Sequence, residues 1–329
     1  AGRSRRIAFA PLLDRHDFDG FNAATPPSTG TERLQVSQLS LWALELLLSD
    51  AFLLMCVMFL GLGLLELAIP AHEIPRRHYR LNLGYAFVNL VAITAITPFI
   101  SVATAFAIQK IGLGLIDLRA LGFDGVSGGI FAMLCGALIG DFFQYWQHRL
   151  EHGSKILWQQ HLLHHSDEYM NVTTTARQHL FDNALIPVFA TVPMAVLFQL
   201  PPINIAMLSL IPYAWQYVTH ANIKLGFGPF WWLLVSPNYH RIHHSLEPNH
   251  IDKNFAAWFP IWDIVFGTAV VPRANECPAT GVAGVSVRTL WAAYLLPLIG
   301  WRKMMMARMS FNRQVAVAPG TNPRASSDT

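Results

Sequence analysis

Long uncharged apolar stretches alternate with short polar ones along this chain. Residues 51–65 carry no charge, and the apolar run extends to about residue 69. Residues 81–109 are uncharged throughout, residues 125–140 form a third run that leads into Asp141, and residues 183–220 hold no acid or base except His220. A bilayer core takes about 20 apolar residues per helix. The pattern therefore predicts membrane spans at 48–69, 83–107 and 125–146. It also predicts a helical hairpin at 184–200 and 203–220, broken at Pro201-Pro202 because proline ends or kinks a helix. Buried helices in a large soluble core are the other reading of such runs. The expected fold class is all-α, a multi-pass bundle of about four or five spans.

The ends differ from this middle. Residues 1–45 are polar, with ATPPSTG at 24–30, and read as an N-terminal arm. No basic n-region is followed at once by an apolar h-region, so no signal peptide is expected. The run TLWAAYLLPLIGW at 289–301 is too short to span and is followed by Arg302, Lys303 and Arg308. It predicts an interfacial helix over 286–314. Residues 315–329 are expected to be disordered, and residues 46–285 to form the membrane-embedded domain.

Composition agrees: 53% of the 329 residues are hydrophobic and 13% charged, the latter roughly half the usual fraction for a soluble protein. A net charge of +3 without a Lys/Arg run excludes a nucleic-acid partner. Cys56, Cys135 and Cys277 are too scattered for a CxxC metal pair or a disulfide framework. The loop HEIPRRHYR carries Arg76, Arg77 and Arg80, which the positive-inside rule assigns to the cytoplasm. Counting spans from there puts His148 and His220 on that same side. RSRR at 3–6 runs against this count, but lies beyond the distance from the first span over which the rule is strong.

Histidine spacing changes the picture most. HRLEH at 148–152, HLLHH at 161–165 and HRIHH at 240–244 hold eight of the 14 histidines, and His220 closes the last apolar run. Residues four apart on a helix share a face, about 6 Å apart along the axis. In HxxHH the three imidazoles fan over about 100° of helix surface, an arc suited to two metals, one histidine reaching one ion and its neighbour the other. His148, His152, His161, His164, His165, His220, His240, His243 and His244 exceed what one zinc needs and suit two metals with open positions. HRLEH also fits the HxxEH zinc-protease signature, with Glu151 as base, but that leaves most histidines idle. A metal transporter would place ligands mid-membrane, whereas these lie beyond the span ends. Imidazole serves zinc, copper, iron and nickel alike. Two irons that activate oxygen make the best physical sense of so ligand-rich a lipid-facing site.

These boxes, in this order between apolar spans, resemble the fatty acid hydroxylase/sterol desaturase superfamily of integral membrane di-iron enzymes over roughly residues 130–270. HRLEH and HLLHH fit the first two boxes. TARQHLFD resembles the next segment, with Leu180 where proline is usual. QYVTH fits the middle box, giving Gln216 and His220. HRIHHSLEPNHIDKNFAAWFPIWDIVFGT resembles the last box and its tail, with Ala256 where glycine is usual. The resemblance implies a cytoplasmic, histidine-rich metal-binding cap on the bundle. It implies two iron ions (zinc being a possible replacement in purified protein), O2 as co-substrate, and hydroxylation of a lipid C–H bond, with desaturation the alternative. GLGLLE and GLGLID lack the third glycine of a dinucleotide loop, so electrons are expected from an external ferredoxin-, cytochrome b5- or reductase-type donor. No catalytic side chain beyond the metal ligands is expected. The second ring nitrogens need acceptors. Candidates for supporting or substrate-side roles are Asp141, Glu151, Asp167, Glu168, Asp182 and Asp263, with His179, Gln216 and His250. Trp146, Trp158, Trp215, Trp231 and Trp232 are expected in the interface belt or the cap packing.

Overall fold

The apolar runs fold as helices in the computed structural model, which describes residues 50–111, 114–117, 120, 125–199, 214–273 and 276–317. Among the described residues every named element is helical, and β pairing is limited to isolated bridges. Helix α1 is Asp50–Ala68, α2 Arg76–Ile111, α3 Gly125–Gly153, α4 Lys155–His165, α5 Leu180–Ile186 and α6 Val192–Leu197. Helix α7 covers residues 214–220. Helix α8 is Pro237–His243, α9 Ile261–Val265 and α10 Leu290–Val317.

Among the described residues, three helices are long and apolar enough to cross a bilayer: Arg76–Ile111, Gly128–Gly153 and the continuous helix Leu180–Leu197. In the last, a π turn at Pro187–Thr191 joins α5 to α6. Pro187 has no N–H to continue the α ladder, and the Val192 N–H reaches back to the Pro187 carbonyl instead. The apolar helix Phe52–Ala68 is shorter than these three. On these helices Val57, Leu60, Phe99 and Val102 are largely exposed, as lipid-facing side chains would be.

Several boundaries differ from the sequence reading. Helix α2 starts at Arg76, so Arg76, Arg77, His78 and Arg80 lie in its first turns rather than in a loop. Helix α3 runs on to Gly153 and carries His148 and His152. The ends of apolar runs mark where lipid contact stops, and a helix continues past that point while its backbone bonds persist. Helix α10 reaches Val317, so residues 315–317 of the expected tail are helical. The expected N-terminal arm, the rest of that tail and most of the hairpin's second arm lie outside the described residues.

The cap packs beside α3 and α4. One core joins Tyr145, Val235, Tyr239, Phe255 and Ala256, with Trp231, Trp262 and Phe266 against it. A second joins Tyr85, Leu163, Val287 and Ala293. Gly153 ends α3, and the Ser154 hydroxyl accepts from the Leu157 N–H to start α4, an N-cap that lets the two histidine-bearing helices fold together. Ser236 likewise caps α8 through the Tyr239 N–H, with Pro237 in the first turn.

Candidate metal centre

Nine imidazoles converge from four helices. Helix α3 contributes His148 and His152, α4 contributes His161, His164 and His165, α7 ends in His220, and α8 brings His240 and His243 with His244 as its C-cap. They form two groups in which the nitrogens lie within 4.8 Å of one another: His148, His152, His161, His165 and His243, and separately His164, His220, His240 and His244. Each HxxHH box divides by helical face. His161 and His165, four apart, join the first group and His164 the second; His240 and His244 join the second and His243 the first.

In the five-histidine group the rings are held from behind. His148 Nδ1 donates to the Phe255 carbonyl at 2.8 Å and His243 Nδ1 to the Lys253 carbonyl at 2.7 Å. A carbonyl only accepts, so the proton is on Nδ1 and Nε2 is a bare lone pair. His152 Nδ1 faces Asp252 Oδ1 at 3.3 Å, and His161 Nδ1 faces Glu151 Oε2 at 3.4 Å. The Nε2 atoms of His152, His161 and His243 each stand 3.1 Å from His165 Nε2. His165 can donate a proton to at most one of them, so lone pairs face one another across the rest.

The four-histidine group has less support. His220 Nδ1 donates to the Gln216 carbonyl at 2.7 Å, and its Nε2 lies 3.0 Å from His164 Nε2 and 3.1 Å from His240 Nε2. His164 Nδ1, His240 Nδ1 and both nitrogens of His244 are buried without a hydrogen-bond partner, as is His148 Nε2 in the other group. A buried orphan costs about 1–3 kcal/mol, and lone pairs pressed together cost more. Cations between the rings remove both penalties. Burial, reinforced by the neighbouring rings, holds His161, His164, His165, His240, His243 and His244 well below the usual histidine range. The rings are therefore neutral, the form that binds metal. The donor set fits two metals.

The braces come largely from one loop in the tail of the last box, whose residues Asp252, Lys253 and Phe255 were not among the supporting candidates read from the sequence. Asp252, Lys253 and Phe255 hold His152, His243 and His148 in turn. Asp252 and Asn254 have positive φ, 56° and 57°, a region that asparagine and aspartate tolerate best among residues with a side chain. Asn254 fixes the loop by donating to the Tyr239 and Val270 carbonyls and accepting from the Val270 N–H. Asp263 accepts from the Phe255 and Ala256 N–H groups, and Asp141 from those of Ala257, Trp258 and Phe259. The sequence signal was the DKNF that follows the last box.

The supporting candidates thus separate. Glu151 faces the His161 ring at 3.4 Å, and Gln147 also donates to it. Asp182 lies beside Glu151 and His161 and caps α5 through the His179 N–H. Asp141 bonds backbone N–H groups of the loop, and Asp263 does so while also accepting from the Tyr239 and Thr268 hydroxyls; neither touches a ring. Asp167 is buried and accepts from Asn82, Thr174 and the Tyr169 N–H, while Glu168 is exposed. The Gln216 carbonyl, rather than its side chain, orients His220. His179 caps α5 and faces the Tyr294 carbonyl. His250 meets Ser245, Glu247 and Glu276 away from both groups. Three buried charged side chains went unread in the sequence: Glu66, Arg177 and Arg241. Glu66, inside the first apolar run, accepts from the Val172 and Asn222 N–H groups at 2.6 Å. Arg241, inside the last box, donates to Met170 and Asn222.

Residues 133–268 match the family model described as fatty acid hydroxylase. This segment is similar to the fatty acid hydroxylase family. All nine clustered histidines fall within it. The chain is 38% identical to alkylglycerol monooxygenase of Xenopus tropicalis over 130 residues, 40% of this chain and 28% of the relative. It is 35% identical to the human alkylglycerol monooxygenase over 128 residues, 39% of this chain and 28% of the relative. It is 29% identical to an ornithine lipid hydroxylase of Rhizobium tropici over 154 residues, 47% and 46% of the two chains. The match thus spans little more than a quarter of the alkylglycerol monooxygenases. No solved structure matches the chain. The protease reading of HRLEH loses its base, because Glu151 is committed to His161 and Gln147.

Proposed function

We propose that this chain is a membrane-bound oxygenase that hydroxylates a C–H bond of a lipid. The single observation that carries the reading is the division of nine neutral, inward-facing imidazoles into two adjacent groups. His148, His152, His161, His165 and His243 would hold one iron, and His164, His220, His240 and His244 the other. Iron held there, supplied with O2 and electrons, provides the oxidising power that an unactivated C–H bond demands. The balance is one lipid C–H, one O2, two electrons and two protons giving an alcohol and water. The protein's part is positional: Asp252, Lys253, Phe255 and Glu151 set the tautomers and directions of four rings.

Two further observations support a lipid substrate. The relatives named above are lipid-directed monooxygenases or hydroxylases by name. A largely apolar groove of about 490 Å³ lies between α2 and the α5–α6 helix, lined among others by Ile93, Ile100, Ile108 and Ile186. Its wall includes Leu180 and Asn183, which flank Asp182 beside Glu151 and His161. On this reading the spans number about four or five, counting α1 and the arm ending in α7. The histidine cap faces the cytoplasm by the positive-inside argument, and an external electron-donor protein completes the reaction. The test is lipid mass spectrometry of membranes with and without the chain. A lipid that gains one oxygen supports hydroxylation; loss of two hydrogens assigns desaturation; neither change removes the proposal.

A further inference from the structure

A second cavity, of about 210 Å³, opens where the start of α2 meets the residues just after α4 and just before α10. Arg77, His78, Leu81, Ser166, Arg177 and Arg288 line it, together with Asp167 and Glu168. At about 30 Å³ per water, it has room for roughly seven waters, enough for a partly hydrated oxyanion.

Its charges are unevenly matched. Asp167 accepts from Thr174, Asn82 and the Tyr169 N–H. Arg177 faces it at 4.0 Å and is further engaged with Leu163, Asn82 and Ser166. That pair neutralises itself. Arg77 and Arg288, from separate segments, remain against the exposed Glu168. Neither has an ion-pair partner among the described residues, and Arg288 reaches only the Ser286 hydroxyl. His78 Nε2 is buried at the same cavity with no hydrogen-bond partner. Two guanidiniums, with an imidazole whose unpartnered Nε2 can carry the ring proton and donate it, surround one space and call for an acceptor-rich anion. Helix α2 leads away from the cavity as the longest apolar helix, with Leu83, Phe87 and Val88 exposed in its next turns. A basic pocket at the head of such a helix fits a lipid phosphate, with the tails along that face.

We infer that this cavity is an oxyanion site that takes the phosphate of an anionic lipid headgroup at the membrane surface. The inference uses the membrane reading of α2 and is independent of the metal chemistry. Binding of dioleoyl phosphatidic acid and dioleoyl phosphatidylcholine to the full chain in detergent is measured by native mass spectrometry, with inorganic phosphate as competitor. Losing two charge-assisted bonds should weaken phosphatidic acid binding by about a hundredfold or more. That loss is expected in the Arg77→Gln/Arg288→Gln double variant, with a smaller one in His78→Ala. Arg80→Gln, an exposed arginine of the same helix that does not line the cavity, should stay close to wild type. Displacement by inorganic phosphate would support the recognised chemistry. Phosphate binding with phosphatidic acid no tighter than phosphatidylcholine would overturn the lipid occupant. Equal binding in the double variant, or an equal loss in Arg80→Gln, would overturn the site itself.

Discussion

The two histidine groups are built from the same boxes and braced very differently. In the five-histidine group, four rings have an Nδ1 acceptor: Phe255, Asp252, Glu151 and Lys253. In the four-histidine group only His220 has one, the Gln216 carbonyl, and three rings keep buried nitrogens without partners. A ring anchored behind keeps its lone pair aimed at the centre whether or not an ion is there. A ring without an anchor is aimed by the ion itself. The comparison teaches that one site is preorganised by a loop, whereas the other is completed by what binds in it.

The largest expected effect comes from His165→Ala. His165 Nε2 contacts three other ring nitrogens, and no other side chain can take its place because helix faces fix the directions. Turnover should fall below detection, while membrane insertion, which rests on apolar length, is retained. Retained activity would show that the five-ring group is not a metal site.

Graded chelation separates the groups next. The four-histidine site should release its metal first, leaving a plateau near one ion per chain before the second is lost. Both ions leaving together, or metal retained in a His220→Ala variant at the wild-type level, would break the comparison.

Bracing can also be removed without touching a ring. Asp252→Ala or Glu151→Ala should weaken metal at the five-histidine site by about 10–100-fold, the usual cost of losing a hydrogen-bond partner behind a ligand. The other site should be unaffected. Equal weakening of both would mean that the acids act through folding. The smallest effect is expected at Asp141. Asp141→Asn weakens its hold on the N–H groups of residues 257–259 and should cost about 1–3 kcal/mol of stability. That loss appears as a lower Tm, with unchanged metal content in the protein that remains folded.

Much of this arrangement was legible in the sequence because it is periodic. Apolar runs mark α1, α2, α3 and the helix 180–197, and i, i+3, i+4 spacing anticipates the division of each HxxHH box between two positions. What escaped the reading depends on contacts between distant segments. Asp252 is an ordinary surface acid in the sequence and becomes a brace only when its loop folds back onto α3. Asp141, Asp167 and Asp263 lie near boxes, yet serve backbone or side-chain donors that tertiary approach brings to them. The arginines of 76–80 read as a loop because charge ends an apolar run, although the α2 backbone continues through them. Glu66 was absorbed into an apolar stretch, and its partners, the Val172 and Asn222 N–H groups and the Tyr79 hydroxyl, explain why a carboxyl group is buried there.

The most direct test counts iron against turnover in one preparation. Elemental analysis of protein from iron-replete cells, paired with O2-dependent lipid product formation, should give two irons per chain at full activity. Activity should fall to zero as the more weakly held iron is removed and return when iron is restored. Full turnover with one ion per chain, or product formed without O2, would contradict the account.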